Sequence, residues 1–388
     1  MREVAVVSAV RTAIGKAKKG SLKDTRPDDL LAVVLKEAIK RAGIDPATID
    51  DVVIGTAMPE AEQGMNIARI SSFMAGIPDE VPAVTINRFC SSGLQAIAQG
   101  ATSIMAGWQD VVLAGGIESM TQIAMGGQKP SPNPSLMEER PEAYTPMGIT
   151  AENVAEQFGI SRVQQDTFAA ESNKRAIEAI ETGRFKDEIV PVKTRVFKGG
   201  KWVDITFDTD EGPRASTVET LGKLRTPFKA KGSVTAATSS QMSDGAAATI
   251  IMSREMAEEK GLPILGILRS FQVVGVPPEI MGVGPLYAIP KALKAAGLTT
   301  DDIGIFEINE AFASQALYCV RELGIDPAKV NPNGGAIAIG HPLGATGARM
   351  TATLLHEMKR QNVRYGIVSM CIGGGMGAAA VYENINVS

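Results

Sequence analysis

Three cysteines and two histidines are the candidates for nucleophilic and acid–base chemistry in this sequence, and their settings differ. Cys90 follows the strand-like run 81–86 and precedes Ser91, Ser92 and Gly93, after which Leu94, Ile97, Ala98, Ala101, Ile104 and Met105 recur at helical spacing. That order places Cys90 at a helix N-terminus, where backbone N–H groups and the helix dipole favour a thiolate. An inert core cysteine remains the alternative on spacing alone. Cys319 illustrates it, sharing one helix face with Phe312, Ala316, Val320 and Leu323, and it reads as packing.

His341 lies in the glycine-dense run 334–347, where backbone can approach a ligand closely. The run has neither the Gly-Lys-Ser/Thr of a P-loop nor the glycine spacing of a dinucleotide fingerprint. His341 is therefore the better general-base candidate. His356 shares a polar helix face with Arg349, Thr353 and Arg360 and reads as a surface residue. Cys371 opens Cys-Ile-Gly-Gly-Gly-Met-Gly directly after the expected strand 365–370. Such a glycine cluster is either a tight turn or a set of exposed N–H donors beside a thiol. Asn309 follows the expected strand 305–308, as a helix cap or as a site residue. No GxSxG occurs, which disfavours a serine hydrolase.

The elements that must position these groups follow from periodicity. Runs 4–10 and 51–55 read as buried strands, and Leu30, Leu31, Val34, Leu35, Ala38, Ile39 and Ala42 form a helical stripe ending at Gly43, an α/β pattern. The phrase 35–54 is echoed by 290–305, and 110–116 by 365–371, in the same order. Two duplicated halves are expected. A core half at 1–120, completed by about 233–262, would pair with a second at 263–388. Residues 121–232 read as an inserted loop domain, with a capping box at Ser161–Gln164 opening a polar helix to about Glu181. Its basic clusters, Lys193, Arg195, Lys198 and Lys201, then Lys223, Arg225, Lys229 and Lys231, suit either a solvated face or a polyphosphate ligand.

Composition excludes several classes. The 388 residues are 44% hydrophobic and 21% charged, a globular composition long enough for two or three domains. A net charge of −4 lacks the basic excess of sequence-independent nucleic-acid binding. No apolar run approaches the roughly 20 residues of a membrane span, the N-terminal apolar stretch is too short for a signal peptide, and the C-terminus shows no targeting tripeptide, so a cytoplasmic protein is expected. Three cysteines without CxxC argue against a disulfide framework or cysteine zinc site, and two histidines against His-rich metal chemistry, so no metal is expected.

The sequence resembles the thiolase family along essentially its whole length. The signatures are Asn87–Ala96 around the cysteine, Gly115–Met120, Asn309–Ala313, Gly334–Arg349 and Cys371–Gly377. The resemblance implies two duplicated α/β halves in five α-β-α-β-α layers with an inserted loop domain, assembled as a homodimer or homotetramer. It implies thiolytic cleavage of 3-ketoacyl-CoA by CoA, with coenzyme A as substrate and no cofactor. Cys90 would be the nucleophile, His341 its base and Cys371 the acid/base. Asn309 would hold a water, and the N–H groups of Cys90 and Gly373 an oxyanion. Ser240, Arg214, Met147 and Met281 match or adjoin family positions that contact CoA or line the acyl and pantetheine pocket.

Subtype follows from departures. Pro146-Met147-Gly148 replaces the His-Met-Gly usual in short-chain biosynthetic members, which favours a degradative β-oxidation enzyme over an acetoacetyl-CoA thiolase. A relative that binds acyl-CoA or lipid without turnover need not keep both cysteines and the histidine, and this chain has all three. Ketoacyl synthases share the fold but use Cys-His-His, which a second histidine on a surface helix does not supply.

Overall fold

Alternating β-branched and small residues build nine long strands that hydrogen-bond in a single path in this computed structural model, which describes residues 2–387. The first half runs β1 (Val4–Thr12), α1 (Pro27–Ala42), β2 (Asp51–Gly55), β3 (Ala83–Ile86), α2 (Ser92–Met105) and β4 (Val111–Ser119). An excursion follows, with α3 (Met147–Gln157), α4 (Arg162–Glu181) and the hairpin β5 (Val192–Lys198) to β6 (Lys201–Phe207). The chain then returns as β7 (Ser243–Ser253). The second half is β8 (Gly266–Gly275), α5 (Gly284–Ala296), β9 (Ile305–Ile308), α6 (Ala313–Glu322), α7 (Leu343–Gln361), β10 (Tyr365–Ile372) and β11 (Met376–Glu383).

Strand order is β3-β2-β4-β7-β1 in the first half and β9-β10-β11-β8 in the second, joined where Val4–Val6 of β1 pairs antiparallel with β8. The pairings repeat. β2 lies parallel to β4 as β9 does to β10, and β7 lies antiparallel to β4 as β11 does to β10. The outermost position of β3 is taken in the second half by a parallel bridge from Val330 to Phe306. Both echoed helices also end alike, on Gly43 at φ +68° and Gly297 at φ +71°. Strand alternation then sorts the core into layers. Val111 and Leu113 face α1, whereas Val112 and Ala114 face the α2–α7 layer. Ile367 faces α5, and Val368 faces inward. The result is the expected five α-β-α-β-α layers, with α1 and α5 outside and α2 and α7 in the middle.

The middle layer overturns one expectation. Fifteen of the nineteen residues of α7 are buried, as a helix covered on all sides requires. Of the polar stripe, Arg349 and Thr353 are buried against protein and His356 is half-buried, whereas Arg360 at the end of the helix is exposed. Thr353 Oγ1 donates to Glu188 Oε1 at 2.9 Å, and His356 Nε2 lies 3.1 Å from the carbonyl of Ala9. A polar stripe marks a surface only where the opposing layer is solvent. Here the opposing layer brings its own polar groups.

The inserted region is anchored through charge. Arg11 of β1 is fully buried, bonded to Glu188 Oε1 at 2.5 Å and bidentate to Asp210 at 2.8 Å for each nitrogen. The capping box of α4 forms as the sequence indicates, with Ser161 Oγ accepting from the Gln164 N–H at 3.3 Å and Gln164 Oε1 from the Ser161 N–H at 2.8 Å.

The first turns of α2 and α7 touch backbone to backbone. A Cβ on Gly347 would sit 2.4 Å from the backbone nitrogen of Leu94, and one on Gly93 2.8 Å from the carbonyl oxygen of Gly344. Gly347→Ala is therefore expected to destabilise by about 1–3 kcal/mol through overpacking against rigid backbone. Thermal denaturation should show a lower midpoint; an unchanged midpoint would mean that the helices can separate freely.

Candidate active site

Cys90 is delivered by a strained turn. β3 ends at Ile86, a 3-10 turn spans Phe89–Ser91, and α2 begins at Ser92. Phe89 holds φ at +42°, an unfavourable conformation for an aromatic residue that surrounding contacts must maintain. They do so locally. The Phe89 N–H donates to Asn87 Oδ1 at 2.7 Å, the Arg88 N–H to Ser92 Oγ at 2.9 Å, and Ser92 Oγ donates to the Phe89 carbonyl at 2.7 Å. The thiol is buried among Ala57, Met120 and Leu343. Burial pushes it up to about 11, against the N–H groups of Gly373 and of Cys90 itself, which stabilise the thiolate, while the charge of Glu118 opposes ionisation. The helix N-terminus therefore does not make a resting thiolate. Desolvation outweighs it.

His341 precedes α7 by two residues. Its N–H donates to the Gln241 carbonyl at 3.0 Å, and its Nδ1 lies 2.6 Å from Thr346 Oγ1. Thr346 donates its own hydroxyl proton to the Pro342 carbonyl at 3.1 Å, so its oxygen accepts from Nδ1–H. This network assigns the lone pair to Nε2, which lies 3.4 Å from the Asn309 amide nitrogen. Burial, with the positive charge of Arg349, lowers the imidazole to about 3. A neutral thiol and a neutral imidazole make up the resting pair.

Cys371 sits inside β10, one residue before its end, which corrects the expectation that the strand stops at Met370. The glycines form the turn into β11, with Gly374 at φ +80° and Gly375 at φ +84°, where a side chain would be strained. Gly373 opens that turn. A Cβ there would meet Met147 Sδ at 3.8 Å and Phe89 Cδ2 at 3.9 Å. Cys371 is fully buried, and desolvation raises its pKa well above the usual thiol value, with Cys90 and then Cys319 adding to the rise. Cys319 itself is core, as the sequence indicates. Met147 and Met281 join Cys371, Ala311 and Phe312 in one cluster, and the Ser240 N–H donates to the Ala311 carbonyl at 2.9 Å. Asn309 is anchored by its N–H to the Ser369 carbonyl at 2.9 Å, while its Oδ1 has no protein partner. Arg214 stands apart on an exposed stretch, its N–H donating to Asn173 Oδ1 at 3.0 Å.

Two buried carboxylates matter that sequence reasoning gave no role. Glu118 at the end of β4 accepts from the Ala57 N–H at 2.7 Å, the Gly344 N–H at 2.8 Å and Gln63 Nε2 at 2.7 Å. It ties the start of α7, where Leu343 packs against Cys90, to the ends of β2 and β4. Glu310 accepts from Ser172 Oγ at 2.6 Å, Asn331 Nδ2 at 2.9 Å and the Ile337 N–H at 3.2 Å, bracing the glycine-rich run. Both lie inside motifs singled out from the sequence, but periodicity carries no sign of an internal carboxylate with three donors.

Comparison with known proteins agrees with this geometry. Residues 4–255 match the thiolase N-terminal domain and residues 262–384 the thiolase C-terminal domain. A 3-ketoacyl-CoA thiolase of Bacillus subtilis (strain 168) is 56% identical over 99% of this chain and 100% of its own. A peroxisomal 3-ketoacyl-CoA thiolase A of Mus musculus is 54% identical over 98% of this chain and 91% of its own. Among solved structures, the dimeric peroxisomal thiolase of Saccharomyces cerevisiae superposes with a TM-score of 0.90 at 47% identity, covering 99% of this chain and 97% of its own. An acetyl-CoA acetyltransferase of Bacillus anthracis gives 0.90 at 41% identity, covering 99% of each chain.

Because burial raises Cys90 toward about 11, alkylation of the resting protein by iodoacetamide should accelerate with pH throughout the range below that value. The expected rise is about tenfold per pH unit while thiol predominates. A plateau near pH 7, measured on the peptide containing Cys90, would instead indicate a resting thiolate.

Proposed function

The chain belongs to the thiolase family, and from that premise we infer how its own residues run the reaction. It catalyses the reversible thiolytic cleavage of 3-ketoacyl-CoA by CoA, giving acetyl-CoA and a shortened acyl-CoA in fatty-acid β-oxidation. Cys90 attacks the 3-keto carbon while Nε2 of His341 takes the thiol proton. The N–H groups of Cys90 and Gly373 hold the tetrahedral oxyanion. As the carbonyl re-forms, the C2–C3 bond breaks and its electron pair passes into an acetyl-CoA enolate. Protonated His341 and a water on Asn309 stabilise the enolate oxygen, and Cys371 gives its proton to C2.

The second half-reaction restores both thiols. Cys371 takes the thiol proton of incoming CoA, whose sulfur attacks the acyl group on Cys90. The departing Cys90 sulfur recovers its proton from His341. The observation that carries this reading is the unprotonated Nε2, set by Thr346 and flanked by Asn309, in a site where Cys90 is close enough to raise the ionisation cost of Cys371. Met147 and Met281, clustered with Cys371, line the pantetheine and acyl passage, Ser240 meets the pantetheine, and Arg214 meets the phosphate end of CoA.

The chain acts as a homo-oligomer. β3 is the outer strand of its half-sheet, and nearby Met65 and Phe73 are 90% and 47% exposed, an apolar edge suited to pairing about a two-fold axis. The S. cerevisiae thiolase of the same fold is dimeric. Light scattering at micromolar concentration is expected to give at least a dimer mass, and a monomer mass would contradict this.

Trapping with labelled acetyl-CoA and peptide mapping should find the label on Cys90. Label on Cys371 or Cys319 alone would refute the assignment. Cys371→Ala should retain acylation of Cys90 far better than it retains proton exchange at the acetyl methyl. Exchange at the unaltered rate would remove Cys371 from the acid/base role.

The second reading, an acetoacetyl-CoA thiolase, draws on the B. anthracis likeness. A longer acyl channel should raise kcat/KM by up to about fourfold per buried methylene, about 0.8 kcal/mol each, before a plateau. A sharp preference for the four-carbon substrate would favour the second reading. Absence of thiolysis at every length would leave an acyl-CoA binder.

A further inference from the structure

Two buried charged residues lie behind the base and take no part in the cycle above. Arg349 is one turn along α7 from Thr346, whose oxygen holds His341 Nδ1. Glu307 is two residues before Asn309, whose amide faces His341 Nε2. Both are only 1% exposed, and Arg349 Nε and Nη1 and Glu307 Oε1 have no protein partner. Each attracts the other electrostatically across the α7–β9 contact. Unpartnered donors and an unpartnered acceptor at such depth are costly unless they meet through ordered water.

We propose that Arg349 and Glu307 form a water-bridged clamp between α7 and β9 that positions His341 between Thr346 and Asn309. The two are positioning residues, acting through the histidine without touching substrate. The clamp sets the spacing between the helix that grips one ring nitrogen and the segment that grips the other. The guanidinium charge also opposes a proton on the ring. The other charged groups around Arg349 are Arg11 of β1, Glu188 and Asp210 of the inserted region, and Glu310 beside Asn309. Arg11 is outnumbered by Glu188 and Asp210, which leaves a surplus negative charge facing Arg349, and burial raises both Glu310 and Glu307, the latter to about 8. Glu307 is therefore mostly protonated already at neutral pH, and its link to Arg349 is a hydrogen-bonded one.

The proposal rests on His341 as the base, and its test separates the two. The sequence has only two histidines, so imidazole nitrogen-15 NMR resolves them once His356→Gln assigns one. In the unaltered protein, His341 should keep the Nδ1–H form across the pH range in which the fold survives. Arg349→Met should shift the tautomer signals of His341 at neutral pH, because α7 and β9 then lose the link that fixes the ring between Thr346 and Asn309. It should also lower kcat on the order of tenfold with little change in KM. Arg349→Lys keeps the charge without the planar fork and should restore kcat only in part. Glu307→Gln, nearly isosteric, should leave the ring neutral, shift its tautomer signals and lower kcat.

A folded Arg349→Met with unchanged tautomer signals and unchanged kcat overturns the proposal. If that variant fails to fold, Glu307→Gln decides, and unchanged tautomer signals with unchanged kcat overturn it equally. Altered ring signals with full turnover would leave the clamp standing and remove His341 as the base.

Discussion

The backbone contact between the first turns of α2 and α7 is the constraint on which the site depends. Cys90 lies just before one helix and His341 just before the other, so the distance between the helix starts sets the distance between nucleophile and base. Only glycine permits that approach at 93 and 347, where added Cβ atoms would collide with backbone. Glu118 completes the constraint by accepting N–H groups from both sides of it, Ala57 after β2 and Gly344 at the start of α7. Because the two helices occupy equivalent places in the repeated halves, the duplication itself creates the pairing. One helix start brings the thiol and its copy brings the imidazole.

Placing those helix starts in the middle of five layers determines the electrostatics. Desolvation raises both thiols and lowers the histidine, so the two thiols and the imidazole are all neutral at rest. Charge develops only when a substrate carbonyl is present to receive it. At that moment fixed donors such as the Gly373 N–H act in a medium of low dielectric, where they are worth most. Burial thus disfavours an idle thiolate, which would be open to oxidation and alkylation, without disfavouring the transition state that the same donors face.

Much of this was legible in the residues, unevenly. Gly43 and Gly297 ended helices where the periodic stripes stop, the capping box at Ser161 formed, and the echo of 35–54 in 290–305 became matching strand pairings. Those features are local, or are repeats of local ones, and sequence spacing reports them directly. Cys90, His341 and Cys371 stood out because they are rare residue types next to glycines. The position of α7 did not stand out. Its polar stripe resembles a solvent-facing one, and nothing within positions 343–361 records that Glu188, 165 residues before Thr353 in the chain, would be there to receive its hydroxyl. Glu118 and Glu310 escaped for the same reason, since each is explained by donors that lie far away in the chain, Gly344 for one and Ser172 for the other. The raised thiol of Cys90 escaped because a helix N-terminus is visible in sequence and the protein covering it is not.

The buried ion cluster shows why such long-range pairings are tolerated in the centre of the molecule. Replacing a buried pair with apolar residues is often neutral or stabilising, so Arg11, Glu188 and Asp210 need a reason besides stability. Their arrangement supplies one. Arg11 belongs to the central strand β1, Glu188 and Asp210 to the inserted region, and Glu188 also receives the hydroxyl of Thr353 on α7. A bidentate guanidinium admits one orientation, whereas an apolar contact would permit sliding by an ångström or more. The inserted region carries Met147 and precedes Ser240 in the chain, and α7 carries Thr346, which orients the base. The charged cluster therefore registers the part of the chain that contacts the substrate against the helix that orients its base, and a loss of that register would be felt at the reacting atoms before it was felt in the fold.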